Sequence, residues 1–180
     1  IVPMTATTMA AQYNRGPGGP PTPSTRPGCG VTSVPSGNSI AALNLLRLGR
    51  MTGDVELETR AERLMETFYG EVVRQPRAYT QFLSAVDFLL GPTQEIVISG
   101  DPENETCRQM IQVVHERFRP KTVVLNRPDG AAGDKVAALA PYLKEMSLVD
   151  DRPAAYVCEK LACQAPIVEV DQLEAKLNAG

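Results

Sequence analysis

A chain of 180 residues, 43% apolar and 22% charged, has room for one sizeable domain or two small ones and the balance of a globular protein rather than a disordered one. Its net charge of -3 provides no basic field for nucleic acid or an anionic membrane, so neither is expected as a partner. Apolar runs such as Ile96-Val97-Ile98 fall far short of the roughly 20 residues of a membrane span. Ile1-Val-Pro-Met4 lacks the basic leader of a signal peptide, and four cysteines are too few for a disulfide scaffold at this length, so a reducing cytoplasm is the expected setting.

Residues 1–35 are dense in Pro and Gly and show no apolar periodicity, the composition of a disordered leader that cannot bury enough surface to offset its ordering entropy. Helical patterning begins after Ser36-Gly-Asn-Ser39, where Asn38 or Ser39 is suited to cap a helix. Ile40, Leu43, Leu46 and Met51 carry its face, and Thr52-Gly53-Asp54 ends it and caps the next. Ala61, Leu64, Met65, Phe68 and Val72 form the stripe of a second helix running to about Val73; Pro76 interrupts it. Phe82, Ala85, Val86 and Leu89 mark a third, over about 78–90. Short turns between helices of these lengths predict antiparallel packing over residues 36–92.

From residue 93 to 180 the pattern is that of a small α/β unit. Glu95-Ile-Val-Ile-Ser99 reads as a buried strand, and Asp101 with Pro102 as the start of a helix reaching about Phe118. Thr122-Val-Val-Leu-Asn126 and Ala155-Tyr-Val-Cys158 are further strands, separated by a helix over about 133–143 that Pro141 weakens; a last helix covers about 171–177. Strands alternating with helices predict three parallel strands with right-handed crossovers.

Pro35-Ser-Gly-Asn-Ser39 with Ala41-Ala-Leu-Asn-Leu-Leu-Arg-Leu48, then Gln94-Glu-Ile-Val-Ile-Ser-Gly-Asp-Pro102, Ala155-Tyr-Val-Cys-Glu159 and Cys163-Gln-Ala-Pro166 form an ordered set over about residues 35–177. That set resembles the thioredoxin-domain-containing family of spermatogenesis-associated protein 20 and its bacterial relatives. The resemblance implies an upstream thioredoxin-like domain and an (α/α)6 toroid of the six-hairpin glycosidase class. Residues 36–92 would be its last helices, and the rest an appended α/β element. It also implies a small-molecule or sugar ligand in the complete toroid, whose inner-helix N-termini face the cavity. Asn38 and Ser39 are therefore candidates for substrate binding as well as for capping. Residues 1–34 depart from the family pattern, which leads into this motif with an aromatic, acidic segment; a divergent or frame-shifted start is expected.

The catalytic candidates are Cys158 and Cys163, the one pair of reactive side chains close in sequence. Their spacing is not Cys-x-x-Cys, and Glu159 offsets Lys160 as an activating charge. The reading preferred is therefore a buried Cys158 at a strand end and Cys163 packed in the following loop, with a redox pair as the alternative. No metal is expected: Cys107 and the single His115 lie eight residues apart on one helix, about 12 Å along its axis. No cofactor is expected either, since neither a dinucleotide fingerprint nor a P-loop follows the first strand. Glu56, Glu58, Glu62 and Glu66, interleaved with Arg60 and Arg63, read as a solvated helix face, not as paired glycosidase carboxylates.

The functional expectation is a non-catalytic C-terminal portion of a larger protein linked to carbohydrate or redox chemistry. The alternatives are an autonomous α/β binding module and a small thiol redox protein using Cys158 and Cys163.

Overall fold

The computed structural model describes residues 36–179. The Pro/Gly-rich segment 1–35 lies outside the described residues.

Three helices come first: α1 Gly37–Thr52, α2 Val55–Arg74 and, after a 3-10 turn at Pro76–Ala78, α3 Thr80–Leu90. The cap of α1 is Ser36 rather than Asn38 or Ser39. Its hydroxyl accepts from Ser39 N–H at 3.2 Å and shares a 2.7 Å bond with the buried Ser39 hydroxyl. Gly53 takes the left-handed conformation (φ 75°) that closes α1 by donating to Gly49 O, and Asp54 then caps α2 by accepting from Glu56 N–H. The inner face of α1 is Ser39, Ala42, Leu46 and Gly49. Small residues win that face because α2 and α3 both pack against it, while Ile40 turns outward. Ala61, Met65 and Val72 of α2 and Phe82, Ala85 and Phe88 of α3 complete this core, with Phe68 and Phe82 edge to face at 5.9 Å.

Four strands follow: β1 Gln94–Ser99, β2 Thr122–Arg127, β3 Ala154–Glu159 and β4 Ala162–Cys163, in spatial order β2-β1-β3-β4. Helices α4 Glu105–His115, α5 Gly130–Leu139 and α6 Val170–Asn178 complete the chain. Ile96 and Ile98 share one sheet face with Ala155 and Val157, beneath Cys107, Met110 and Val114 of α4 and Leu173 and Leu177 of α6. The opposite face presents Val97 and Cys158 to Ala137, Ala140 and Leu143. Val123 on that same face joins the core of α1–α3, so the helical segment docks onto the sheet as part of its second covering layer. Among the described residues no helix is long and apolar enough to cross a membrane.

The mixed α/β class stands, but the sheet is not wholly parallel. β1 and β2 pair in parallel, whereas β3 runs antiparallel to β1 and to β4. The cause lies after α5. A 3-10 turn at Pro141–Glu145 leads to Met146, whose carbonyl accepts from Ser99 Oγ and from Arg127 Nη1, the residues that end β1 and β2. The chain therefore already stands at the carboxyl edge of the sheet, and β3, starting at Ala154 opposite Ser99, can only run back.

The helix after β1 also starts later and ends sooner than the sequence predicts. Asn104 caps it by accepting from Thr106 and Cys107 N–H, while Asp101 closes a turn by accepting from Glu103 N–H. It ends at His115, leaving Phe118 92% exposed rather than inward.

Gly133 and Gly70 supply a test of the packing. A Cβ on Gly133 would lie 2.0 Å from the Pro128 carbonyl oxygen, whereas one on Gly70, inside α2, meets nothing within 4 Å. In urea denaturation Gly133→Ala is expected to lose about 1–3 kcal/mol and Gly70→Ala to gain about 0.5–1 kcal/mol.

Candidate functional site

The β3–β4 hairpin is the structural centre of the candidate chemistry. Cys158 and Cys163 face each other across it and are joined as a disulfide. Cys163 is thus not in a loop, as the sequence suggested, but on a two-residue strand, and it is exposed while Cys158 is completely buried. The turn between them places Lys160 (φ 50°) and Leu161 (φ 62°) in the left-handed region. A two-residue hairpin loop needs that geometry, but Lys and Leu adopt it at a cost of about 1–2 kcal/mol each.

Glu95 holds this turn in place. It stands opposite Cys158 in the β1–β3 register, so both side chains project from the same sheet face. Its side chain is fully buried. Oε2 accepts from Leu161 N–H at 2.9 Å, and among the described residues Oε1 has no partner. Burial pushes the Glu95 carboxyl up from its ordinary value, against the opposing pull of the Leu161 N–H and of Arg50. The sequence places Glu95 at the start of a buried strand without marking it as a site residue. The period of two could have flagged it: Glu95, Val97 and Ser99 share one face, and every residue from Glu95 to Ser99 is buried.

The end of α1 converges on the same place. Tyr142 donates to the carbonyls of Met51 at 3.3 Å and Arg50 at 3.5 Å. Burial, reinforced by the nearby Glu95, raises its phenol to about 12. A Cβ on Gly53 would rest 3.5 Å from Tyr142 Cδ1 and 3.6 Å from Leu161 Cδ1, so α1 ends against both side chains. Arg50 pairs with Glu58 at 3.1 Å with both side chains mostly covered, which removes Glu58 from the solvated face expected of α2; Glu56 and Arg60 stay exposed and paired with each other. Beside the hairpin a cleft of about 570 Å³ is bordered by Tyr142, Lys144, Met146, Tyr156, Leu161 and Cys163.

Other candidates stay apart from this site. Asn38 and Ser39 occupy the first turn of α1, at the opposite end from Gly53, and Ser39 spends its hydroxyl on Ser36. Cys107 is a buried free thiol held near Asn126, and burial raises its pKa. His115 is exposed at the end of α4. A second feature was not anticipated as a site. Between α2 and α3 runs an open groove of about 310 Å³, walled by Met65, Tyr69, Val72, Phe82, Val86 and Leu89, with Glu62 and Glu66 at its rim.

The raised Glu95 carboxyl has a consequence for stability. Below the ordinary carboxylate value Glu95 is protonated in both folded and unfolded chains and contributes no penalty. As pH rises the unfolded chain ionises first, so stability is lost up to the raised folded value and then levels. Glu95→Gln is expected to remove this component: denaturation midpoints of the variant and wild type should lie close at pH 4, and the variant should be the more stable at pH 7.

No protein-family model matches the chain, and no solved structure matches it. Among curated proteins it is similar to spermatogenesis-associated protein 20 of Rattus norvegicus and of Homo sapiens, each 31% identical over 144 residues, 80% of this chain and 18% of theirs. An uncharacterized protein of Caenorhabditis elegans is 26% identical over 148 residues, 80% of this chain and 19% of its own. The chain thus spans about a fifth of the length of the relatives it matches. This homology, which covers four-fifths of the chain, supports a single family for it, that of spermatogenesis-associated protein 20.

Proposed function

We propose that this chain serves as the C-terminal portion of a larger protein, where it completes a helical wall and caps it with an α/β layer, rather than carrying that protein's main chemistry. The observation that carries this reading is the open apolar groove between α2 and α3. Both helices pack on α1 and meet through Phe68 and Phe82, and the groove opens between them beside that contact. Tyr69 and Val73 of α2 are 69% and 62% exposed, and Leu83 and Leu90 of α3 are also exposed. Exposed apolar surface of this kind, with Tyr69 in the wall of the groove, marks an interface.

Its occupant, on this reading, is an amphipathic helix from the remaining four-fifths of the same polypeptide. The acidic rim formed by Glu62 and Glu66 favours a helix with basic residues flanking its apolar stripe. The thioredoxin-like and six-hairpin glycosidase-like domains, with any carbohydrate or redox activity and any sugar ligand approaching Asn38 and Ser39, would then belong to the assembled protein. The cytoplasmic setting belongs to the same proposal.

The chain alone is expected to self-associate in a concentration-dependent way and to bind an apolar fluorescent dye. Tyr69→Glu combined with Val73→Glu should return it to a monomer and lower dye binding several-fold, with an unchanged circular dichroism spectrum. Light scattering after size exclusion measures this. A wild-type chain that stays monomeric at all concentrations and binds no dye would favour an autonomous α/β module instead.

A further inference from the structure

We propose that the β3–β4 hairpin is a thiol–disulfide exchange site in which Cys163 is the sulfur attacked by an incoming dithiol, Cys158 is the leaving sulfur, and Glu95 supplies the proton that Cys158 requires. The proposal does not depend on the helical-wall reading.

Two observations and one chemical requirement carry it. The two sulfurs are unequal: Cys163 is exposed at the edge of the sheet and borders the cleft of about 570 Å³, whereas Cys158 is sealed within the second sheet face. A nucleophile entering through the cleft therefore meets Cys163 alone. Next, exchange expels a thiolate, and a thiolate generated in an apolar enclosure is a poor leaving group unless it is protonated as it departs. Last, the residue opposite Cys158 in the ladder is a fully buried glutamate with one carboxyl oxygen unpartnered. A buried carboxyl without a second partner needs an explanation, and a proton donor beside a buried sulfur provides one.

The step balances as follows. One thiolate of the dithiol attacks Cys163 Sγ, forming a mixed disulfide. The Cys158–Cys163 bond breaks, and its electron pair passes to Cys158 Sγ, which takes the proton of the Glu95 carboxyl. The second thiol of the dithiol, losing its proton to solvent, attacks the incoming sulfur and closes the dithiol into a disulfide. Cys163 leaves as a thiolate and Glu95 regains a proton from solvent. The hairpin gains two electrons and the dithiol loses two. In the reverse direction Glu95 as carboxylate accepts the Cys158 proton. The cleft accommodates a small dithiol directly: Tyr142, Met146, Tyr156 and Leu161 offer apolar and aromatic contact, and Lys144 offers a cation to an incoming thiolate.

The test uses the full chain, dithiothreitol as the reductant, and alkylation followed by peptide mapping, so that Cys29 and Cys107 are distinguished from the pair. The oxidised wild type should lose the bridge while its circular dichroism spectrum is retained. In Cys158→Ser, Cys163 should alkylate at least about tenfold faster at pH 7 than Cys158 does in Cys163→Ser, because only the exposed thiol is reachable. Glu95→Gln should slow wild-type reduction about tenfold or more at pH 7. It should also abolish an inflection in the logarithmic pH profile of the rate that lies below the titration of dithiothreitol. A purely structural glutamate would shift the rate but leave the profile's shape unchanged. Free, equally reactive Cys158 and Cys163 after mild oxidation with oxidised glutathione would overturn the site; an unaltered pH profile in Glu95→Gln would overturn the role of the glutamate.

Discussion

The hydrogen bond from Leu161 N–H to Glu95 Oε2 joins the central strand of the sheet to the tip of a hairpin beyond its neighbour. Around that bond sit most of the features that distinguish this fold from a generic α/β layer. The magnitudes show why it does not act alone. Two left-handed residues at the turn cost about 1–2 kcal/mol each, while a single hydrogen bond contributes a net of about 0.5–1.5 kcal/mol. The bond therefore offsets roughly one of the two strained residues. The remainder falls to the covalent bridge, worth about 2 kcal/mol for so short a loop, and to the packing of Leu161 against the end of α1. Turn, bridge, carboxylate and helix terminus are mutually dependent, which explains how a buried acid with an unpartnered oxygen is retained.

The helical segment obeys a different constraint. α1 lies between the sheet and the other two helices, and its inner face is built from Ala42, Leu46 and Gly49 so that neighbours can approach closely. The closest approach is at Gly49, where a methyl group would meet Glu58 Cγ at 2.7 Å. Packing α2 and α3 against one narrow helix draws both toward α1 and leaves a trough on their far side. The trough follows from two helices sharing one narrow neighbour, and a fourth element would fill it.

How much of this was legible in the sequence depended on range. Local signals read well: Asp54 as a cap, Gly53 as a stop, Pro76 as an interruption and β1 as a buried strand all emerge from short windows, whereas the helix expected over about 133–143 runs over 130–139, with Asp129 as its cap and Pro141 opening a separate 3-10 turn. Caps chosen among adjacent polar residues were misassigned, since Ser36 and Asn104 compete on equal chemical terms with Asn38, Ser39 and Asp101. Strand direction was not legible, because it rests on Met146 bonding Ser99 and Arg127 at separations of 47 and 19 residues. The cysteine pair was discounted for lacking the Cys-x-x-Cys spacing. Yet five residues are what a two-residue loop between facing strand positions requires, and the missing cue was that Lys160-Leu161 carries none of the Gly, Asn or Asp that usually announces such a loop.

That unusual turn also constrains which sequences can occupy it. The tip of the hairpin presents a bulky apolar side chain where ordinary turn chemistry would place glycine, and that side chain lies against the terminus of α1. Local comfort and long-range docking therefore select opposite residues at position 161. Glycine there would relax the backbone and remove one of the contacts against the end of α1. Position 160 is exposed and is free to drift toward asparagine. Across descendants of this chain the two halves of one turn should evolve at different rates, the first under the rule of the backbone and the second under the rule of the interface.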